Sequence, residues 1–308
     1  MDAVAPAAPD RSDTGASSGG TGARGSRHLG DYAGVVPFFV YIGLFLLLPT
    51  LIVVVGAFQA NDGSPTLSNV ESVLTEQAFL AAFGRSIWLS VVTALLGAVL
   101  GGLLAWAVAS GDPNGRLRPI IVAASGVLAQ FGGVMLAFAF LATFGFNGLV
   151  TLLLRDSLGV DPQESAGWLY GMNGLAVVYT YFQIPLMLIV FLPAFDALRR
   201  EWRDASESLG GSSWTYWRHI AGPILAPSFL GALLLLFANA LSAYATAAAL
   251  ISQGSPIVPL QISTALTSEV VLGQANVGKA LALAMILVVA VVMTLYALIQ
   301  RRASRWAK

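Results

Sequence analysis

The stretch DASESLGGSSWTYWRHIAGP, residues Asp204–Pro223, is the long polar insert between apolar segments in the second half of the chain. It predicts two short helices that meet at a glycine turn. Asp204 followed by Glu207 has the spacing of a capping box, in which both side chains bind free backbone N–H groups at a helix start. Gly210 and Gly211 predict the end of that helix, because glycine adopts positive φ without steric cost.

The second half of this stretch predicts another helix. Ser212 or Ser213 can cap its first turn, and Pro223, which has no backbone N–H, predicts the start of the next segment. The apolar residues between them have helical spacing and are expected on one face: Trp214, Trp217 and Ile220. We expect a bent element on the membrane surface that presents an aromatic knob, with an ordinary interfacial amphipathic helix as the alternative.

The composition is that of a membrane protein. Hydrophobic residues make up 56% of the 308 residues and charged residues only 10%, whereas charged residues are about 25% of an ordinary globular chain. The net charge of zero gives no argument for nucleic-acid binding. The absence of cysteine excludes disulfides and thiolate chemistry.

Apolar runs long enough to cross a bilayer predict an all-α protein with six transmembrane helices. A polar segment over residues 1–30 predicts a disordered tail, residues 31–300 form the membrane domain with the polar loop 196–223, and residues 301–308 form a basic tail. Residues 145–168 and 252–278 are expected to be external. Gly97 and Gly101 predict a close helix–helix approach. The six spans are expected at about 34–58, 86–110, 120–144, 169–195, 224–250 and 279–300.

The positions of the basic residues predict the orientation. Of the 16 Lys and Arg residues, only Arg85, Arg155 and Lys279 fall on one side of this topology. The positive-inside rule therefore predicts that both termini and the loop 196–223 are cytoplasmic.

Catalytic and ion-coupled functions find no support in the sequence. Its two histidines, His28 and His219, lie in the tail and the polar loop, and no HExxH motif or carboxylate pair falls within a span. No metal site is expected. Secondary transporters usually place ionisable residues centrally within their spans, and this chain has none there, although backbone carbonyl sites would escape this test.

The polar stretch resembles the EAA loop of ABC-importer permeases, whose pattern is E-A-A, three residues, Gly, nine residues, Ile, one residue and Leu-Pro. The matching residues at that spacing are Ala205, Gly210, Ile220 and Pro223. The departures are Asp204 for the glutamate, Ser206 for the second alanine and Gly222 for the leucine. The resemblance, which extends over residues 34–300, implies the type I (MetI-like) permease fold in the bacterial inner membrane.

The resemblance also implies partners and site residues. An ABC ATPase dimer would carry ATP and Mg²⁺, so no cofactor is expected on this chain. A second permease subunit, either a related chain or a second copy, would complete the pathway, and an extracytoplasmic substrate-binding protein would deliver the solute. The residues expected to contact the ATPase are Asp204, Ala205, Ser206, Glu207, Gly210, Ile220 and Pro223, to which the aromatic face adds Trp214 and Trp217.

The sequence SLGGS around Gly210 is similar to the LGAS form of the polyamine, phosphonate and ferric-iron permeases. A polyamine, a phosphonate or a similar small polar solute is therefore expected, with a sugar or glycerol-phosphate permease as the alternative. An autonomous membrane carrier or a non-transporting scaffold also remains open.

Polar and aromatic residues within the spans are candidates for the solute pathway. Their alternative role is to bind neighbouring helices, at about 0.6–2 kcal/mol each. The candidates are Gln130, Tyr179, Tyr181, Gln183, Asn239, Ser242 and Tyr244.

Overall fold

The structure, a computed structural model, describes residues 35–112, 115–160, 167–251, 257–267 and 274–304. Within these ranges the protein is helical, and its only extended pairing is an isolated bridge between Gln59 and Pro65. The predicted tail 1–30 and residues 305–308 lie outside the described residues. The helices are α1 (Val36–Ala57), α2 (Ser68–Thr75), α3 (Gln77–Ser110), α4 (Leu117–Gln130), α5 (Gly133–Phe144), α6 (Leu149–Leu158), α7 (Met172–Asp196), α8 (Arg200–Ser208), α9 (Ser213–Ser242), α10 (Ala245–Leu250), α11 (Val258–Thr267) and α12 (Ala275–Ser304).

The described chain divides into two units, with residues 35–51 in the first and the described residues from Ile52 onward in the second. In the first unit, α1 begins with a proline in its first turn, where the missing N–H removes no helical hydrogen bond. A π-helical turn over Gly43–Leu47 follows. The aromatic and aliphatic side chains of this segment are exposed, as expected for a helix whose solvent is lipid.

Six helical segments of the described chain are long and apolar enough to cross a membrane, which confirms the predicted number of spans. They are Val36–Ala57, Gln77–Ser110, Gly133–Leu158, Met172–Asp196, Ser213–Ser242 and Ala275–Leu298. The shorter apolar helix α4 precedes the third of them.

The third span differs from its prediction. The sequence predicts one helix over residues 120–144, but α4 ends at Gln130 and α5 starts at Gly133. Gly133 has a φ of +66°, which a continuous right-handed helix does not contain. The third candidate span, Gly133–Leu158, therefore includes part of the stretch predicted to be external.

The packing of α3 against α7 confirms the close approach predicted at Gly97 and Gly101. A Cβ atom on Gly97 would lie 2.5 Å from the Cβ of Gln183. A Cβ atom on Gly101 would lie 2.5 Å from the carbonyl oxygen of Ile184 and 2.5 Å from the Cβ of Met187. Since real Cβ atoms do not come this close, only glycine permits the observed separation of the two helices.

Two of the three buried clusters in the described chain centre on α7. One joins α3, α5, α7 and α10 around Tyr179 and Leu136, and the other joins α3, α7 and α9 around Met187 and Leu236. Because α7 contributes to both of these clusters, the polar segment that follows it starts from the most buried of the six candidate spans.

Candidate functional site

The polar segment 196–223 is anchored where it leaves α7. The Nη2 atom of Arg118, in α4, lies 2.6 and 2.7 Å from the two carboxylate oxygens of Asp196. This charge-assisted contact joins the start of α4 to the end of α7, which are 78 residues apart in sequence. The segment therefore starts beside a contact between α4 and α7.

The first helix of the segment, α8, starts earlier than the capping-box prediction required. Its N-cap residue is Arg199, with φ −80° and ψ 138°, and no side chain caps it. Asp204 consequently lies inside α8, and Glu207 instead accepts a hydrogen bond from Arg203 Nε at 3.1 Å. The predicted capping box is wrong, because the helix begins one turn before Asp204.

The glycine turn has the predicted conformation. Gly210 has a φ of +78°, its N–H donates to the carbonyl of Glu207 at 2.9 Å, and the N–H of Gly211 donates to the carbonyl of Ser206 at 2.8 Å. These two bonds form a Schellman motif. A Cβ atom on Gly211 would lie 2.7 Å from Ser206 Oγ and 2.8 Å from its carbonyl oxygen, so the second glycine is required as well.

The second helix of the segment continues into the membrane. Ser212 caps it, since its Oγ accepts from the N–H of Thr215 at 3.4 Å. Pro223 does not start a new segment as predicted, because α9 runs without a break from Ser213 to Ser242. A π-helical turn over Trp217–Ala221 ends two residues before the proline, and its wider hydrogen-bond pattern accommodates a residue without an N–H.

The predicted coupling residues lie on three different surfaces. Ala205, Ser206 and Ile220 line a cleft of about 510 Å³ between α8 and α9. Asp204, Glu207 and Trp217 line a larger groove of about 890 Å³ on the opposite side of α8, toward the end of α3. Gly210 lies on the exposed turn that joins the two helices, and Trp214 lies exposed in the first turn of α9.

The two tryptophans do not share one environment. The side chain of Trp214 is 71% exposed, whereas the ring of Trp217 packs edge-on against Trp106 of α3 at 6.5 Å. Sequence reasoning missed the residue that accompanies Trp214 at the tip: Leu209 is 90% exposed directly before Gly210. The sequence pattern that could have identified Leu209 is an apolar residue directly before a glycine that ends a helix.

The candidate pathway residues divide into buried and exposed groups. Tyr179 and Gln183 are completely buried. Gln183 Nε2 donates to Thr93 Oγ1 at 3.1 Å, and its Oε1 has no hydrogen-bond partner among the described residues. Asn239 is partly buried, while the remaining candidates are exposed on this chain: Gln130, Tyr181, Ser242 and Tyr244.

Three of the four exposed candidates, Gln130, Ser242 and Tyr244, lie at two interruptions in the spans, whereas Tyr181 lies within α7. The first interruption separates α4 from α5 at residues 131–132, and the second separates α9 from α10 at residues 243–244, within the span predicted to be continuous over 224–250. Thr246 Oγ1 donates to the carbonyl of Gly133 at 3.1 Å. The hydroxyl of Tyr179 donates to the carbonyl of Ala243. The two interruptions therefore lie side by side, and sequence reasoning did not identify Thr246 as their link.

Metal chemistry has no visible basis at either place. Within the part of the chain that the structure describes, no group of three or more His, Asp or Glu side chains is arranged to hold a metal ion. The polar segment 196–223 instead presents exposed apolar side chains at its glycine turn. The two helix interruptions present polar side chains within the spans.

Comparison with known proteins finds similarity to one class of membrane proteins. Residues 164–306 match the family of binding-protein-dependent transport system inner membrane components. The sulfate transport system permease protein CysT of Escherichia coli is 24% identical over 207 residues, which are 67% of this chain and 69% of CysT. A probable ABC transporter permease, y4fN of Sinorhizobium fredii, is 23% identical over 65% of this chain. The chain spans only 34% of the length of y4fN.

Solved structures show the same fold. A chain of a bacterial ABC transporter involved in the import of the acidic polysaccharide alginate superposes with a TM-score of 0.73 at 16% identity, over 88% of this chain and 94% of that one. A chain of the MetNI methionine ABC transporter superposes with a TM-score of 0.51 at 14% identity, over 74% of this chain and 99% of that one. The predicted MetI-like architecture is confirmed.

Proposed function

We propose that this chain is an ABC-importer permease of the inner membrane. It forms half of a solute pathway driven by an ATPase that docks on residues 204–223. The observation that carries the proposal is the apolar tip formed by Leu209 and Trp214, which are 90% and 71% exposed. Two large apolar side chains exposed on either side of one turn, rather than a single one, support a protein contact there. An apolar tip on a short helix fits a groove on a partner.

The geometry supports transmission of force from this tip to the membrane. α9 is one helix of 30 residues, about 45 Å long at 1.5 Å per residue, and its first turn is fixed to the tip by the Ser212 cap. The glycine turn fixes the angle between α8 and α9. A displacement of the tip by an ATPase would therefore move the cytoplasmic half of α9 directly.

The solute pathway is assigned to the face that carries the two helix interruptions. Non-helical backbone at membrane depth cannot face lipid, because lipid offers no hydrogen bonds, so it must face protein or a water-filled path. Gln130, Ser242 and Tyr244 lie at these interruptions and are exposed on this chain. This face would meet a second permease subunit, either a related chain or a second copy, across the pathway.

The remaining partners and cofactors are part of the same proposal. An ATPase dimer binds ATP and Mg²⁺ on the side of the polar segment, which we place in the cytoplasm together with both termini. An extracytoplasmic binding protein supplies the solute on the other side. The solute is a small polar compound, a polyamine or a phosphonate in the first instance, with a sugar or glycerol phosphate as the alternative.

The test is affinity purification of the tagged protein in mild detergent, with its partners quantified by mass spectrometry. Leu209→Ser should reduce the recovery of the ATPase roughly ten- to a hundredfold, the effect of withdrawing one leucine from a buried contact. Leu158→Ser is the matched control, since Leu158 is 68% exposed and directly precedes Gly159, which also has positive φ. Solute uptake by the purified chain without an ATPase would instead identify an autonomous carrier.

A further inference from the structure

A second feature of the membrane domain lies beside the residues proposed to contact the ATPase. An apolar crevice of about 430 Å³ runs between α3, α7 and α9, with Gly102, Gly222 and Ala226 among its lining residues. These small residues create the space, since larger side chains at the same positions would fill it. The crevice is lined almost entirely by carbon, so it offers hydrogen bonds to nothing that enters it.

The crevice adjoins the groove beside α8. Three aromatic residues, Trp106, Phe195 and Trp217, line both the apolar crevice and the groove of about 890 Å³. Trp106 lies one turn before the end of α3, and its ring contacts that of Trp217 edge-on at 6.5 Å. Tryptophans at the ends of spanning helices mark the level of the lipid headgroups. The two cavities therefore meet at the membrane boundary.

The groove carries excess positive charge. Its lining includes three arginines and two carboxylates, of which Arg203 and Glu207 are paired at 3.1 Å. Arg199 and Arg200 are exposed, and neither forms an ion pair with any residue that the structure describes. Among the charged residues that line the groove, the two arginines outside an ion pair therefore outnumber the one acid outside an ion pair, Asp204.

We propose that the crevice and the groove together bind one anionic phospholipid, with an acyl chain along the crevice and the phosphate against Arg199 and Arg200. The dimensions agree with this ligand. Trp217 at the boundary and Phe229 in the crevice are 12 residues apart on α9, about 18 Å along a helix, and one leaflet of the hydrocarbon core is about 15 Å thick. A soluble anion would use only the groove, and an apolar solute only the crevice.

The test uses the full-length protein reconstituted in vesicles of equal phosphatidylglycerol and phosphatidylcholine, then extracted and analysed for retained lipid by native mass spectrometry. We expect preferential retention of phosphatidylglycerol by the wild type. The double variant Arg199→Gln/Arg200→Gln should lose retention about 30-fold, from roughly fivefold for each basic residue near an anionic headgroup. Arg218→Gln is the matched control, because Arg218 is exposed on the same segment but lines neither cavity.

A second variant tests the crevice. Ala226→Trp should abolish retention by filling the space of the acyl chain, and Leu103→Trp, on the exposed rim of the crevice, serves if the first variant does not fold. Retention lost in the arginine variant but unchanged by both crevice variants would indicate a site for a free anion and overturn the proposal. Unchanged lipid retention with loss of the ATPase from the arginine variant would identify the groove as a protein contact and overturn it too.

Discussion

Replacing Gly210 with alanine tests whether the rigid turn transmits force. The residue has a φ of +78°, a conformation that costs an L-amino acid about 1–2 kcal/mol. No heavy atom lies within 4 Å of the position that a Cβ would occupy, so backbone strain is the whole expected cost. A penalty of this size shifts the local equilibrium of the turn about 5- to 30-fold toward states without the bond from the Gly210 N–H to Glu207.

The assay is solute uptake by membranes that contain the ATPase and the binding protein, together with the amount of inserted permease. We expect uptake to fall at least about fivefold in Gly210→Ala, while Gly210→Asn retains most of it because asparagine tolerates positive φ. Gly210→Pro, which also deletes the N–H, should abolish uptake without reducing insertion. Gly159→Ala is the matched control, since Gly159 has a φ of +64° and equal free space. Equal uptake by the two alanine variants would refute the reasoning.

Three further changes test the membrane domain. Gly101→Leu should destabilise the detergent-solubilised protein by roughly 1–3 kcal/mol, because its Cβ would lie 2.5 Å from the carbonyl oxygen of Ile184. The measurement is the unfolding temperature, which should fall. An unchanged unfolding temperature would contradict the observed separation of α3 and α7. Arg118→Gln should lower the free energy of unfolding by only about 0.2–1 kcal/mol, since the ion pair with Asp196 is partly exposed. A double-mutant cycle with Asp196→Asn measures the coupling energy of the pair, and a larger value would contradict this expectation. Gln183→Met should leave thermal stability unchanged or raised, because it removes a buried oxygen without a partner; a clear loss of stability would show that the amide is satisfied.

Much of the architecture follows from local properties of the sequence. The six spans depend on the length of apolar runs, which is set by the thickness of the bilayer and needs no knowledge of which helices meet. The glycine turn depends on the steric freedom of Gly210, and the cap on the short side chain of Ser212. The close approach of α3 and α7 at Gly101 could also be predicted, because glycines four positions apart leave one face of a helix without side chains.

The errors arose where neighbouring elements decide a local choice. The capping box of Asp204 and Glu207 has correct spacing, but α8 starts at Arg200, directly after the chain leaves α7. The continuous helix through Pro223 was missed because the π turn before the proline leaves no signature in residue spacing. Local sequence patterns are compatible with several helix boundaries, and contacts with the rest of the fold determine which boundary forms.

By itself the sequence determined that this protein is a six-span membrane protein with a polar segment bent at Gly210, since apolar length and glycine sterics act within a few residues. Only the tertiary structure decided which residues form the sites. Exposure of Leu209 depends on what surrounds it, and the pairing of the two helix interruptions depends on the bond from Thr246 to Gly133, residues 113 positions apart. Such contacts have no local signal, because they form only when distant segments pack together.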